Sequence, residues 1–379
     1  CQVSSFLQSG CLLPLISILR SPQPDSKQHV QCSLVDFGIL RDWIASCQTS
    51  HSLPQCRGSH LSQFTTPIRV IDCQTRKVIL APKDCKYIAL SYVWGVAGSS
   101  HETVNGNDIP ALPRTIRDSI TVTTSMGYRY LWVDKYCIKQ DENSDLLAQV
   151  QQMDLIYRQA QATIIACAGS SPDSGLPGVS TPRTIVQARV TVGHLPLVTF
   201  RLFPWVEPNS SKWQTRGWTF QEHLLSSRRL FFTDEQVLFA CNEFWASEMF
   251  RHPQKLELSL RTYPGSSSIW KPKSGLSGVQ PMAHWRGNGS LPTLLQYIEE
   301  YSKRELTKPN DIFNAFHGIL KAFMAINPSI SHLWGIPFSG EQVDSLNSFC
   351  HCLLWENRCM LRREGFPSWS WVGWLGAAA

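Results

Sequence analysis

Two short apolar runs that break off into polar, aromatic and glycine residues constrain this chain most. They are Tyr87-Ile-Ala-Leu-Ser-Tyr-Val-Trp-Gly95 and Leu131-Trp-Val-Asp-Lys-Tyr-Cys-Ile-Lys-Gln-Asp141. A continuous apolar run of this length suits a strand buried on both faces of a parallel sheet, and its polar end marks where the sheet edge opens into a site. Between the two runs, Thr115–Met126 carries Ile116, Ile120 and Thr123 on one face and is followed by Gly127, which reads as a helix with its terminator. After them, Leu146, Val150, Met153 and Tyr157 recur at helical spacing, which predicts one amphipathic helix over about 145–160. Thr163–Ala168 reads as a third strand. The β-α-β-α-β order implies parallel pairing. It gathers Tyr92, Trp94 and Gly95, then Asp134 and Cys137, then Gly169 and Ser170 on one edge.

Composition agrees with a folded chain. Of 379 residues 43% are hydrophobic and 17% charged, with 14 Trp, the opposite of a disordered balance. The net charge of +6 is not concentrated in a basic stripe, so no nucleic-acid partner is expected. The 13 Cys have no repeating spacing and sit in a large chain, which favours reduced thiols and a cytoplasmic setting. The apolar stretch Cys11–Leu19 is shorter than the roughly 20 residues a membrane span needs.

Three sections follow from this pass: an arm and short helix over 1–66, an α/β domain over 67–240, and a region over 241–379 packed on it. Residues 1–30 read as a loose arm, 33–48 as a helix, 67–81 and 229–240 as hairpins, and 98–113 and 251–292 as loops. Leu294–Ile326 reads as helical with a break at Pro309, and Phe366–Trp374 as an aromatic strand or clamp.

Several residues carry chemistry. Asp134 at a strand end can orient a ribose hydroxyl or Arg216, or cap the next turn. Gln140 and Asp141 read as caps. Cys137 as a nucleophile would need a basic partner, and neither His101 nor His223 is tied to it by spacing. Cys47, His51 and Cys56 are zinc-ligand types, with Cys32 or His60 as a fourth, yet the spacing matches no compact zinc pattern, so no metal site is assigned. The loop from Gly95 to Gly98 lacks a phosphate-binding glycine spacing.

Three blocks resemble the HET, or heterokaryon-incompatibility, domain of filamentous fungi. They are Tyr87–Gly95, Leu112–Ile120 continuing through Leu131–Asp141 to Gln149–Tyr157, and Arg216-Gly-Trp-Thr-Phe-Gln-Glu222 with Leu225–Arg228. Tyr136 stands where the family commonly has Leu. The resemblance implies an effector of self/non-self recognition and regulated cell death. It also implies an α/β fold, a parallel sheet flanked by helices in the manner of TIR or flavodoxin-like cores, with an added helical, aromatic-rich C-terminal region. TIR domains include enzymes that cleave NAD with one glutamate that often follows a Trp by four positions, the spacing of Trp218 and Glu222. On that reading Glu222 is catalytic. Ser91, Tyr92, Trp94, Gly95, Asp134, Arg216 and Trp218 bind ligand, NAD is substrate and no cofactor is needed. The residues leave open a non-catalytic module that acts by self-association or through an incompatibility partner. They also leave open a structural Arg216–Glu222 ion pair.

Overall fold

The computed structural model describes residues 16–20, 33–51, 56, 64–95, 112–183, 189–192, 195–201, 211–248, 254–255, 289–340, 345–357 and 361–378. The first part runs β1 (Ile16–Arg20), α1 (Phe37–Ser50), β2 (Arg69–Asp72), β3 (Lys77–Leu80), β4 (Tyr87–Ser91), α2 (Arg114–Ser125), β5 (Tyr130–Trp132) and α3 (Asp134–Cys137). Next come α4 (Asn143–Gln151), α5 (Met153–Gln159), β6 (Thr163–Ala166), β7 (Arg189–Val192), β8 (Leu195–Arg201), α6 (Lys212–Thr215) and α7 (Gly217–Leu225). Then follow β9 (Arg228–Phe232), β10 (Val237–Cys241), β11 (Phe244–Ser247) and β12 (Gln254–Lys255). The chain continues with α8 (Leu291–Ser302), α9 (Asn314–Ile326), β13 (Ile330–Leu333), β14 (Ile336–Ser339) and α10 (Ser345–Cys352).

The architecture is α/β. Nine strands form one sheet in the order β12-β11-β10-β9-β6-β4-β5-β2-β3. Its centre is parallel, with β9 beside β6, β6 beside β4 and β4 beside β5. All five residues of β4 are buried, as its continuous apolar run requires. The two expected hairpins form, but they extend the same sheet antiparallel, β2 on β5 and β10 on β9. The sheet is therefore mixed rather than wholly parallel.

Four expectations need correction. Ile16–Arg20 is a strand, not a loose arm, because β8 offers it an antiparallel edge from Ile16 opposite Arg201 to Arg20 opposite Leu197. The single helix expected over 145–160 is two, α4 and α5, interrupted at Gln152. The buried Gln152 amide donates to the Thr66 carbonyl at 2.9 Å and accepts from Thr66 N–H at 3.2 Å, so it fastens the segment before β2 at the cost of helix continuity. The aromatic end is no strand: Trp371–Gly373 forms one turn of 3₁₀ helix, with the Trp371 indole donating to the Gly335 carbonyl at 2.9 Å. Within 251–292, read as loop, residues 254–255 pair as β12 and α8 begins at Leu291. The rest of that segment up to 288 and most of the 98–113 loop lie outside the described residues. Other boundaries hold closely: α1 starts where Asp36 accepts from Gly38 N–H at 2.8 Å, and Gly127 at φ +85° ends the turn after α2.

The C-terminal region packs on α7. Phe316 of α9 stacks with Phe220 at 6.4 Å between ring centroids and meets Tyr301 and Trp371. The Gly318 N–H donates to the Gln221 side chain at 2.8 Å. Among the described residues no helix is long and apolar enough to cross a membrane.

Candidate functional site

The carboxyl ends of the parallel strands form a graded site, part-exposed at its rim and closed at its floor. Trp94, Asp134 and Arg216 keep partial exposure, whereas Ser91, Tyr92 and Glu222 are buried. At the floor Ser91, the last residue of β4, donates its hydroxyl to Glu222 Oε2. Its oxygen accepts in turn from the Trp213 indole at 2.7 Å. The Tyr157 hydroxyl, which donates to the Leu90 carbonyl at 3.3 Å, faces the same carboxyl. Glu222 is reached because α7 returns across the sheet before β9, which brings a side chain 131 positions away onto the end of β4.

At the rim the Trp94 indole donates to both carboxylate oxygens of Asp134, at 3.0 and 2.9 Å. The Lys135 N–H binds the same carboxylate at 2.7 Å, so Asp134, the first residue of α3 rather than its cap, holds Trp94 while fixed by its own backbone. Gln140 donates to the Asp134 and Ile138 carbonyls at 3.3 and 3.1 Å, while the cap positions themselves are Ile138 after α3 and Glu142 before α4, not Gln140 or Asp141. Arg216 does not pair with Glu222. Its guanidinium donates to the Tyr92 carbonyl at 2.6 Å. The backbone beneath it is pinned from the C-terminal region, by Gly217 N–H on the Glu305 carbonyl and Glu305 N–H on the Thr215 carbonyl, both at 2.7 Å. Gly95 has φ +85°, and a Cβ there would stand 2.8 Å from Pro172, so a glycine is demanded by the backbone itself. Trp218 points away from this cluster and donates to Asp311 at 3.4 Å.

Electrostatics set the two acids apart from ordinary carboxylates. Burial pushes Glu222 up to about 7, and the Asp134 charge adds to the rise against Ser91, Arg216 and Tyr157. Burial also raises Asp134 to about 6, opposed by the Lys135 N–H, Arg216 and the Trp94 hydrogen bond. Because both folded values exceed the unfolded ones, their contribution to stability is full at low pH and is lost as pH rises. The thermal midpoint of Glu222→Gln should therefore gain on that of wild type as pH rises from 4.5 to about 7 in a paired series of melting curves, while buried histidines such as His223 act in the opposite sense in both proteins. A difference between the two midpoints that stays constant over this window would contradict the buried-acid assignment.

The Tyr92 phenol is buried and has no hydrogen-bond partner among the described residues. Its ionisation is pushed up first by burial, then by the Asp134, Tyr136 and Glu222 charges, with Arg216 opposing, which places it within the acid cluster. An unsatisfied buried hydroxyl costs about 1–3 kcal/mol. Tyr92→Phe should accordingly keep or raise the denaturation midpoint; a clear loss of stability would show that the phenol already has a structural partner.

Two candidates separate from the site. Cys137 is fully buried, takes the Val133 N–H on its sulfur at 3.3 Å and is pushed up to about 12 by burial. No histidine is among its partners, so it has neither the thiolate nor the base a nucleophile needs. His223 is buried against Trp213 and Phe231 and stays neutral, held down by burial and then by Arg229 and Arg304. His101 lies outside the described residues. Sequence reasoning missed Trp213 and Tyr157. Tyr157 sat on the apolar stripe of its helix and read as core, and nothing near Trp213 marks its indole as a donor to Ser91.

Residues 87–222 match the family model described as Heterokaryon incompatibility protein (HET). The match runs from the first residue of β4 to Glu222 itself. Heterokaryon incompatibility protein 6, OR allele, of Neurospora crassa is 31% identical over 102 residues, covering 23% of this chain and 15% of that protein. The chain thus corresponds to a small part of that relative's length. No solved structure matches the chain.

Proposed function

We propose that this chain, whose residues 87–222 match the heterokaryon-incompatibility (HET) family model, acts in fungal incompatibility, as an effector of self/non-self recognition that triggers cell death by hydrolysing NAD at Glu222. The observation that carries this reading is the Ser91–Glu222 pair beneath the Asp134 and Trp94 rim. Cleavage of the nicotinamide–ribosyl bond builds positive charge on the ribose. A carboxylate held without rearrangement in a dry site stabilises that charge strongly. Ser91 and Trp213 hold the Glu222 carboxyl in place. Asp134, fixed by Trp94 and Lys135, would take ribose hydroxyls, and Arg216 the pyrophosphate.

The test is NAD consumption by the purified chain across protein concentrations, with Glu222→Gln and Tyr92→Phe alongside. Turnover lost in Glu222→Gln and reduced in Tyr92→Phe, with both variants folded, supports the reading. A second reading, a non-catalytic self-association module, draws on the fact that the hydrogen bonds of the buried Glu222 are internal. It is the outcome if NAD is untouched while concentration-dependent oligomers appear in sedimentation.

A further inference from the structure

At the opposite edge of the sheet from Glu222, four ligand-type side chains converge from segments far apart in the chain. Cys47 lies in the last turn of α1 and His51 is the residue that ends it, four positions on and therefore on the same face. Cys56 follows, and Cys241 closes β10. The three sulfurs and one imidazole nitrogen lie within 4.8 Å of one another, and all four residues are buried. Cys241 Sγ stands 3.5 Å from His51 Nδ1. A tetrahedral zinc centre with sulfur and nitrogen ligands has ligand-to-ligand edges of about 3.5–3.8 Å. One edge is therefore already at length, and small side-chain rotations close the rest.

The surroundings independently ask for a thiolate centre. Backbone N–H groups of Glu243 and Phe244 point at Cys241 Sγ, at 3.4 and 3.3 Å. The Arg228 guanidinium donates to Cys47 Sγ at 3.2 Å and to the Cys56 carbonyl. Its neighbour Arg229 is fully buried, donates to the Ala240 and His223 carbonyls, and leaves one guanidinium nitrogen without a hydrogen-bond partner among the described residues. Neither arginine pairs with a carboxylate among the described residues, yet a buried cation needs an anion. Three thiolates with one zinc ion carry a net charge of about −1, which offsets one of these two positive charges.

We propose that Cys47, His51, Cys56 and Cys241 bind one zinc ion that fastens α1 and the segment after it to the β9–β10 hairpin. All four positions are protein ligands, so the centre is closed and structural rather than catalytic. Soft thiolate and imidazole donors without carboxylates favour zinc over calcium or magnesium. All four residues lie outside the 87–222 family match, so the ion belongs to this chain's own framing of that domain. The reading of the sequence had three of the ligands. It could not find the fourth, because Cys241 is 190 positions from His51. The other candidates for that place, Cys32 and His60, lie outside the described residues.

The test is elemental analysis of the full chain, expressed with zinc in the medium and purified without chelator. One zinc per chain is expected, retained in Cys350→Ser, which changes an exposed cysteine outside the cluster, and lost in Cys241→Ser. Should Cys241→Ser fail to fold, wild type supplies two further readouts. Chelation should lower its melting temperature, and replacement by cobalt(II) should give the thiolate-to-metal charge-transfer absorption of a tetrahedral site. A folded wild-type chain with no stoichiometric zinc and a melting temperature indifferent to chelator overturns the proposal. So does a Cys47–Cys56 disulfide in the intact chain's mass spectrum.

Discussion

On the proposed NAD-cleaving reading, Glu222→Gln is expected to lower NAD consumption by about 10²–10³-fold, on the scale of removing one preorganised electrostatic group from an active site, while the chain stays folded. Glutamine keeps the shape of the carboxyl and an oxygen to accept from Ser91, so the fold around β4 and α7 has little reason to move. What it removes is the charge. The same substitution should stabilise the chain above pH 7, where wild type holds an ionised carboxylate against burial and against Asp134. Since only the ionised form stabilises a ribosyl cation, turnover should rise with pH through about 7. Wild-type activity and the stability gap to Glu222→Gln then both grow across one pH window, a signature that a purely structural glutamate would not give. Unchanged NAD consumption by folded Glu222→Gln would end the catalytic assignment.

Phe316→Ala should destabilise the chain by about 3–5 kcal/mol, the range for truncating a buried aromatic ring. Phe316 is fully buried, stacked on Phe220 and in contact with Tyr301 and Trp371. Those partners come from α7, from α8 and from the aromatic end of the chain, so the cavity opens where the C-terminal region grips the helix that carries Glu222. The packing beside it has little slack. A Cβ on Gly318 would stand 2.5 Å from the Gln221 side-chain oxygen and 2.6 Å from Asp154 Cβ, which holds α9 against α5 and α7. Urea denaturation followed by tryptophan fluorescence and by circular dichroism should show one coincident, shifted transition. Two separate transitions, with only one moved by the substitution, would mean that the C-terminal region folds independently and does not support the site.

The legible parts of the molecule were those in which a local pattern and a tertiary role coincide. The apolar run at Tyr87–Ser91 is buried on both faces and became the middle of the parallel strands. The positions at its end, and Asp134, were recognisable because a strand this apolar has no reason to end in Ser, Tyr, Trp and Gly unless its edge opens. Gln152 escaped for the converse reason. It lies between Val150 and Met153, inside the run that reads as one helix, and its pairing with Thr66, at the point where the helix breaks, has no local signal. Ile16–Arg20 has too little pattern of its own and becomes a strand because β8 is beside it.

Read alone, the sequence determined the α/β class, the order of the central elements, the edge on which functional side chains gather, and Glu222 as the acid to test. Each of these rests on interactions between residues a few positions apart, or on motif blocks contiguous in the chain. Tertiary structure decided the partners. It paired Glu222 with Ser91 and not with Arg216, joined Asp134 to Trp94, turned Trp218 away, and brought Cys241 to Cys47, His51 and Cys56. Those contacts span tens to nearly two hundred positions. Hydrogen-bond geometry over such separations is set by how α1, α7 and the β9–β10 hairpin pack on the sheet, and no local periodicity records it.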